Sequence, residues 1–374
     1  MVTWSFPTRI VFGAGSLSTL PDHARAHGER ALVVCDAGVA KLGLAERVKA
    51  ALDKAGIAAA IFDKVDPNPV EKNVFDGVAA FKAAKADLLV AVGGGSPLDA
   101  AKLIGLAATH DRPLVDFDDA TGGDQHVGPT VPPLITIPTT AGTGSEVGRS
   151  GVVTLAATGR KTVIFSPYLL AKVAILDPEL TVSMPARITA ATGFDALTHC
   201  LEAWCAQGDH PMADGIALMG LELAAKYLPR AVAHPDDLEA RGAMMKAAMM
   251  GAVAFQKGLG ACHSLAHPLS SEKGMHHGLA NALCLPAVVD FNQASIPAQL
   301  DRARVIIDPR AETCADAVRA LRERVGLPGG LAVEGINARD VSKLAAKAFE
   351  DACHRSNPRP TTQDDLAALY RSSF

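Results

Sequence analysis

The chain holds twelve histidines, and four of them, His263, His267, His276 and His277, fall within fifteen residues. Asp195 and His199 stand four residues apart in an Ala- and Leu-rich segment, so on a helix their side chains share one face. His263 and His267 repeat that spacing, and His277 directly precedes the helix-favouring run GLANALC. An aspartate and several histidines converging from separate helices suit a divalent metal with one oxygen and three nitrogen ligands. For any one of these histidines a satisfied core or surface imidazole is the alternative. The helical half offers few other polar core candidates, which weighs toward a metal.

Two turns have the composition of a phosphate cradle. Gly93-Gly94-Gly95-Ser96 follows the strand-like DLLVAV and precedes a helix-like segment that carries Asp99 and Lys102. Backbone N–H groups and the helix dipole meet an anion at such a place, and consecutive glycines let the main chain approach closely. The run matches neither G-x-G-x-x-G nor the P-loop pattern, and a tight turn without a ligand would look the same. Thr139-Thr140-Ala141-Gly142-Thr143-Gly144-Ser145 again follows a strand and offers four hydroxyls, although a polar surface loop is its alternative. Two such turns after neighbouring strands favour nucleotide binding at the strands' carboxyl ends. Asp36, closing the strand ALVVC, is a candidate partner for a ribose hydroxyl; its charge would repel a 2′-phosphate and favour NAD over NADP.

The elements that must position these residues divide at about residue 182. Up to that point strand-like runs (30–38, 57–65, 87–96, 134–140) alternate with helix-like ones (42–56, 70–86, 97–108), with Pro97 placed at a helix start. That alternation predicts parallel βαβ units. From 183 to 374 the chain is rich in Ala, Leu and Met, with helices predicted over 184–207, 212–233, 238–258, 278–292 and 341–355. The expected fold is an α/β dinucleotide-binding domain with a parallel sheet over 1–182, then an all-α metal-binding domain over 183–374.

The 374 residues, 49% hydrophobic and 20% charged with a net charge of −4, exclude a disordered chain and argue against a nucleic-acid binder. Charges such as Asp99 and Lys102 interrupt the richest apolar stretches, so no membrane helix is expected. The start, MVTWSFPTRIVFGAG, lacks the pattern of a signal peptide. Seven unpaired-looking cysteines without a C-x-x-C suit free thiols in the cytoplasm.

The segments VGGGSPLDAAKLIG, IPTTAGTGSEV, TAATGFDALTHCLEA, HSLAHPL and HHGLANA resemble, in order and separation, the motifs of the iron-containing (group III) alcohol dehydrogenases. The resemblance runs from about Ile10 to the NPRP at 357–360. It implies a dehydroquinate synthase-like architecture and a catalytic Fe²⁺, sometimes Zn²⁺, held by Asp195, His199, His263 and His277; His277 rather than His276 immediately precedes Gly278. It implies His267 as the unliganded, catalytic histidine beside the nicotinamide. The dinucleotide would lie on Gly94, Gly95 and Ser96 with Asp99 nearby, lined by Asn68, Thr139, Thr140 and Lys161, with Asp36 toward the adenosine ribose. The implied reaction is hydride transfer between NAD(H) and a small alcohol or aldehyde, with the metal polarising the substrate oxygen, in a homodimer or larger homo-oligomer.

His199 argues against glycerol dehydrogenases and dehydroquinate synthases, which share the fold but lack a histidine there. The intact quartet likewise counts against maleylacetate reductases and against a non-catalytic nucleotide-binding relative. AFQKGLG (254–260) and HRSNPRP (354–360) faintly resemble 4-hydroxybutyrate dehydrogenases, which makes a hydroxyacid substrate the alternative.

Overall fold

The computed structural model describes residues 8–374, so the first residues of the segment that lacks a signal-peptide pattern lie outside the described residues. The chain forms two compact units. Among the described residues the first contains eight strands: β1 (Arg9–Phe12), β2 (Arg30–Asp36), β3 (Ala58–Val65), β4 (Leu88–Gly93), β5 (Leu134–Pro138), β6 (Ser150–Thr154), β7 (Lys161–Phe165) and β8 (Val173–Leu176). Six of them make one sheet in the order β1-β8-β5-β4-β2-β3, with every pairing parallel, while β6 and β7 form an antiparallel hairpin. Five helices accompany them: α1 (Leu20–Arg25), α2 (Ala37–Lys41), α3 (Leu44–Lys54), α4 (Glu71–Ala83) and α5 (Gly95–Thr109).

Alternation along the strands explains why both faces are covered. β2 sends Leu32 and Val34 into one core with α4 and α5, and Ala31, Val33 and Cys35 into another with α1 and α3. The strand order reverses direction between β2 and β4. Asp36 and Gly93, the last residues of those two strands, therefore flank the crevice where open parallel sheets bind ligands.

The second unit is helical: α6 (Ala186–Cys205), α7 (Pro211–Ala233), α8 (Leu238–Ala254), α9 (Ala261–Lys273), α10 (His277–Asn292), α11 (Pro297–Ile307), α12 (Cys314–Arg324), α13 (Val341–Glu350) and α14 (Gln363–Ser372). α6 is buried almost from end to end and packs against α7, α8 and α10. Small residues make that closeness possible. A Cβ on Gly251 of α8 would stand 2.8 Å from His199 Cβ, and one on Gly193 of α6 would stand 2.2 Å from a Leu228 methyl.

Two sequence expectations need correction. The helix after the glycine turn begins at Gly95, so Pro97 is not its first residue. The proline is tolerated because N–H groups in a first turn have no intrahelical acceptor. A single cut at 182/183 also misses Ala141–Gly144, which belongs to the helical unit. Gly142 lies against Thr192, and Gly144, at φ +63°, lies against the Ala248 carbonyl and Ala252, where a Cβ would approach to 2.5 and 2.3 Å.

Among the described residues no helix is long and apolar enough to cross a membrane. All seven cysteines are free.

Candidate active site

In the helical unit, Asp195 and His199 share one face of α6, His263 and His267 lie on α9, and His277 opens α10. Their ligand atoms converge. Asp195 Oδ1 lies 4.0 Å from His199 Nε2, 4.0 Å from His263 Nε2 and 3.5 Å from His277 Nε2. These separations exceed a hydrogen bond. Two ligands on a tetrahedral metal with bonds of about 2.1 Å would be about 3.4 Å apart, so the three imidazoles face the carboxylate at nearly ligand-to-ligand spacing. One ligand atom from each of Asp195, His263 and His277 lies within 4.8 Å of the other two, and His199 stacks on His263 with ring centroids 4.6 Å apart. Burial, partly offset by Asp195, pushes the His199 imidazole down to about 4, which keeps its lone pair available at neutral pH. The donor set therefore fits a divalent cation. His276 is exposed and lines a separate cavity of about 240 Å³ with Arg187, Lys273 and Glu334.

His267 stands beside this group, stacked on His277 at 5.2 Å between centroids. Its Nδ1 is 2.7 Å from Asp351 Oδ2, while Asp351 Oδ1 accepts from Ser264 Oγ and the Cys353 N–H. Burial alone would raise the Asp351 carboxyl, but the neighbouring His267 and these donors outweigh it and hold the group well below the usual range. His267 donating Nδ1–H to this carboxylate leaves Nε2 as its proton-accepting atom.

Three further residues are not picked out in the sequence. Asn281 Nδ2 donates to Asp195 Oδ1 at 2.8 Å and lies 3.3 Å from His277 Nε2. Glu202 accepts from His263 Nδ1 at 2.6 Å. Both could have been found from spacing, since Asn281 lies four residues after His277 and Glu202 seven after Asp195. Asp351, from a distant segment, carries no such signal.

In the α/β unit the two polar turns are neighbours. Gly93 pairs with Pro138 in the sheet register, and Thr139 N–H donates to the Gly93 carbonyl at 2.9 Å. Gly93 has φ +143°, and a Cβ there would strike Pro97 at 2.8 Å, so this position needs glycine. Gly94 caps α5 without any side-chain acceptor, which leaves the first N–H groups of a fifteen-residue helix for an anion. Ser96 adds its N–H rather than its hydroxyl, since Oγ donates to the Pro67 carbonyl at 2.5 Å. That bond also ties the glycine turn to the loop carrying the exposed Asn68. Asp36 Oδ1 caps α2 by accepting from the Gly38 and Val39 N–H groups, while Oδ2 faces Gly93. Asp99 is engaged within the protein, accepting from Ser145 Oγ at 2.5 Å and from the Val152 N–H. Lys102, fully buried beneath it, bonds Ser145 and the Ser150 carbonyl, and Lys161 opens β7.

Comparison with known proteins covers both halves of the chain. Residues 7–178 match the model of the iron-containing alcohol dehydrogenases, and residues 189–374 match the C-terminal model of the same family. The chain belongs to the iron-containing alcohol dehydrogenase family. It is an oxidoreductase acting on an alcohol or its carbonyl product. It is similar to the 4-hydroxybutyrate dehydrogenase of Cupriavidus necator, 42% identical over 98% of each chain. It is also similar to the NAD-dependent methanol dehydrogenase of Bacillus methanolicus, 38% identical over all of both chains. A crystal structure of 1,3-propanediol oxidoreductase superposes with a TM-score of 0.96 at 36% identity, with full coverage of both chains.

Within this family member, the segments that resemble 4-hydroxybutyrate dehydrogenases have structural tasks. Lys257 Nζ is held by Asp214 Oδ1 at 2.5 Å and by the Trp204 carbonyl. Arg359 lies over the Phe291 ring at 3.8 Å and donates to its carbonyl, and Asn357 bonds Asn292 and the Ala261 N–H. Lys257 and Arg359 are thereby engaged within the protein.

Proposed function

We propose that this chain is a metal-dependent alcohol dehydrogenase and aldehyde reductase using NAD(H), with Asp195, His199, His263 and His277 as the ligands of Fe²⁺ or Zn²⁺. One observation carries the reading: three buried or half-buried imidazole Nε2 atoms surround one carboxylate oxygen at 3.5–4.0 Å. When bound, the metal supplies Lewis-acid polarisation of the substrate oxygen, which favours the alkoxide in one direction and an electrophilic carbonyl in the other. His267, clamped by Asp351, holds or releases the substrate proton at Nε2. An N/O site of this kind binds Zn²⁺ more tightly than Fe²⁺, so the metal found depends on supply as well as on the site.

The NAD reading rests on the uncapped start of α5 and on the NAD-dependent relative. Gly94, Gly95 and Ser96 would hold the pyrophosphate with their N–H groups. Asn68, Asp99, Thr139, Thr140 and Lys161 would line the remainder, with Asp36 toward the ribose. Because Asp36 also caps α2, Asp36→Ser is the informative variant: serine keeps a cap acceptor and removes the charge. The ratio of kcat/KM with NADP to that with NAD should rise at least about tenfold, the effect of removing roughly 1.4 kcal/mol of repulsion. An unchanged ratio refutes the assignment.

A hydroxyacid substrate is the second reading, favoured by the 42% identity to 4-hydroxybutyrate dehydrogenase. A cytoplasmic location and a homodimeric or larger assembly complete the proposal; the free cysteines support the former. The test is NADH absorbance at 340 nm with a panel of short aldehydes that includes succinic semialdehyde, with and without a chelator. Turnover that is lost on chelation and restored by Fe²⁺ or Zn²⁺ is expected, and the preferred aldehyde decides between the readings. Turnover insensitive to complete metal removal refutes the metal's role.

A further inference from the structure

The metal reading leaves unused a buried carboxylate that touches one of its ligands. Glu202 sits on α6 three residues after His199 and seven after Asp195, so it shares their face one turn further along. Its side chain is only 4% exposed, and each oxygen has its own donor: His263 Nδ1 at 2.6 Å on Oε2, and the Cys262 N–H at 2.7 Å on Oε1. The second bond lies in the first turn of α9, whose N-cap, Gly260, has no side chain to offer. A Cβ on Gly260 would stand 2.6 Å from Oε1, so glycine there keeps the path of the carboxylate open.

We infer that Glu202 is the positioning residue of the metal centre: it fixes His263 with the proton on Nδ1 and the lone pair on Nε2, and docks the helix that carries both His263 and His267. This rests on the proposed metal site. A carboxylate suits the task because both of its oxygens accept, and both facing atoms are N–H donors. Glutamine has one acceptor oxygen and one NH₂ group. If the NH₂ faces His263, Nδ1 must accept, the proton moves to Nε2, and the ligand lone pair is lost. If it faces Cys262 instead, two donors oppose each other and the start of α9 is pushed away. Either way the imidazole loses the orientation that a ligand needs.

The test compares wild type, Glu202→Gln and Gly260→Ala, first by competition for Co²⁺ and Zn²⁺ against a chromophoric chelator. The visible spectrum of the Co²⁺ forms and thermal unfolding of the metal-free proteins complete the set. Metal affinity is expected to fall about 10- to 100-fold in Glu202→Gln, with an altered Co²⁺ spectrum and a metal-free protein that still unfolds cooperatively. Gly260→Ala, which crowds the carboxylate without removing it, should weaken binding in the same direction and serves if the glutamine variant does not fold. Affinity and spectrum unchanged in the folded variants overturn the inference while leaving the metal site intact. Failure of wild type to bind one Co²⁺ that His277→Ala loses would instead overturn the metal reading itself.

Discussion

Asp195→Ala should cost the protein its metal and nearly all turnover. The Asp195 oxygen is the atom toward which His199, His263 and His277 all point, and it also receives the Asn281 amide. Three neutral imidazoles would remain to hold a dication in a buried pocket with no anionic ligand, and an uncompensated buried charge is costly. Loss of the Lewis acid removes several kcal/mol of transition-state stabilisation, which is roughly a thousandfold or more in kcat. The fold should survive, because the truncation strands one amide donor at a cost of about 1–3 kcal/mol. Metal content by plasma mass spectrometry, read beside NADH oxidation, checks the result. A metal-replete Asp195→Ala protein within tenfold of wild-type activity would remove Asp195 from the site.

What the sequence displays about this site follows from where each residue lies along the chain. Asp195 and His199 are legible because a helix puts residues four apart on one face. The glycine turn is legible as a turn because three glycines separate an apolar strand from a helix, although the run by itself does not distinguish an anion cradle from a tight turn. The strands β2, β4 and β5 announce themselves as near-continuous apolar runs, since both of their faces are covered. Other parts lack such marks. α9 carries His263 and His267 yet contains Pro268 and four serine or charged residues in its second half, which break its apolar pattern. β1 and β8 are four residues each, too short for a periodicity to register. The β6–β7 hairpin alternates buried and open positions, but over only five residues per strand.

The deeper gap concerns residues that act through others. Glu202 and Asp351 each hold a histidine of α9, one from α6 and one from the segment just after α13. Sequence alone cannot join positions 84 residues apart, as His267 and Asp351 are. Nor can it show that Asp36 serves as a helix cap as well as a candidate ribose partner, because both tasks ask for the same residue at the end of a strand. The transfer of Ala141–Gly144 to the helical unit is hidden for a similar reason: Gly142 and Gly144 suit a phosphate loop and a close helix contact equally well.

Gly278→Ala should disable the site without replacing a ligand. Gly278 is the second residue of α10, directly after His277, and a Cβ on it would stand 2.1 Å from the Ala191 carbonyl and 3.1 Å from Asp195 Cβ. The obstacle is the backbone of a buried helix, so α10 must move away, taking His277 with it. Overpacking of this kind costs about 1–3 kcal/mol, and a shift of even about 1 Å is enough to impair a positioned group about a hundredfold. The variant is therefore expected to bind metal at least about tenfold more weakly and to turn over at about one hundredth of the wild-type rate. Gly215→Ala on α7 is the matched control. No atom lies within 4 Å of a Cβ there, so metal content should be unchanged and stability should rise by about 0.4–1 kcal/mol. Chelator competition and thermal unfolding of the two variants side by side decide the matter. Equal metal affinity in both would show that the approach of α10 to α6 does not govern where His277 sits.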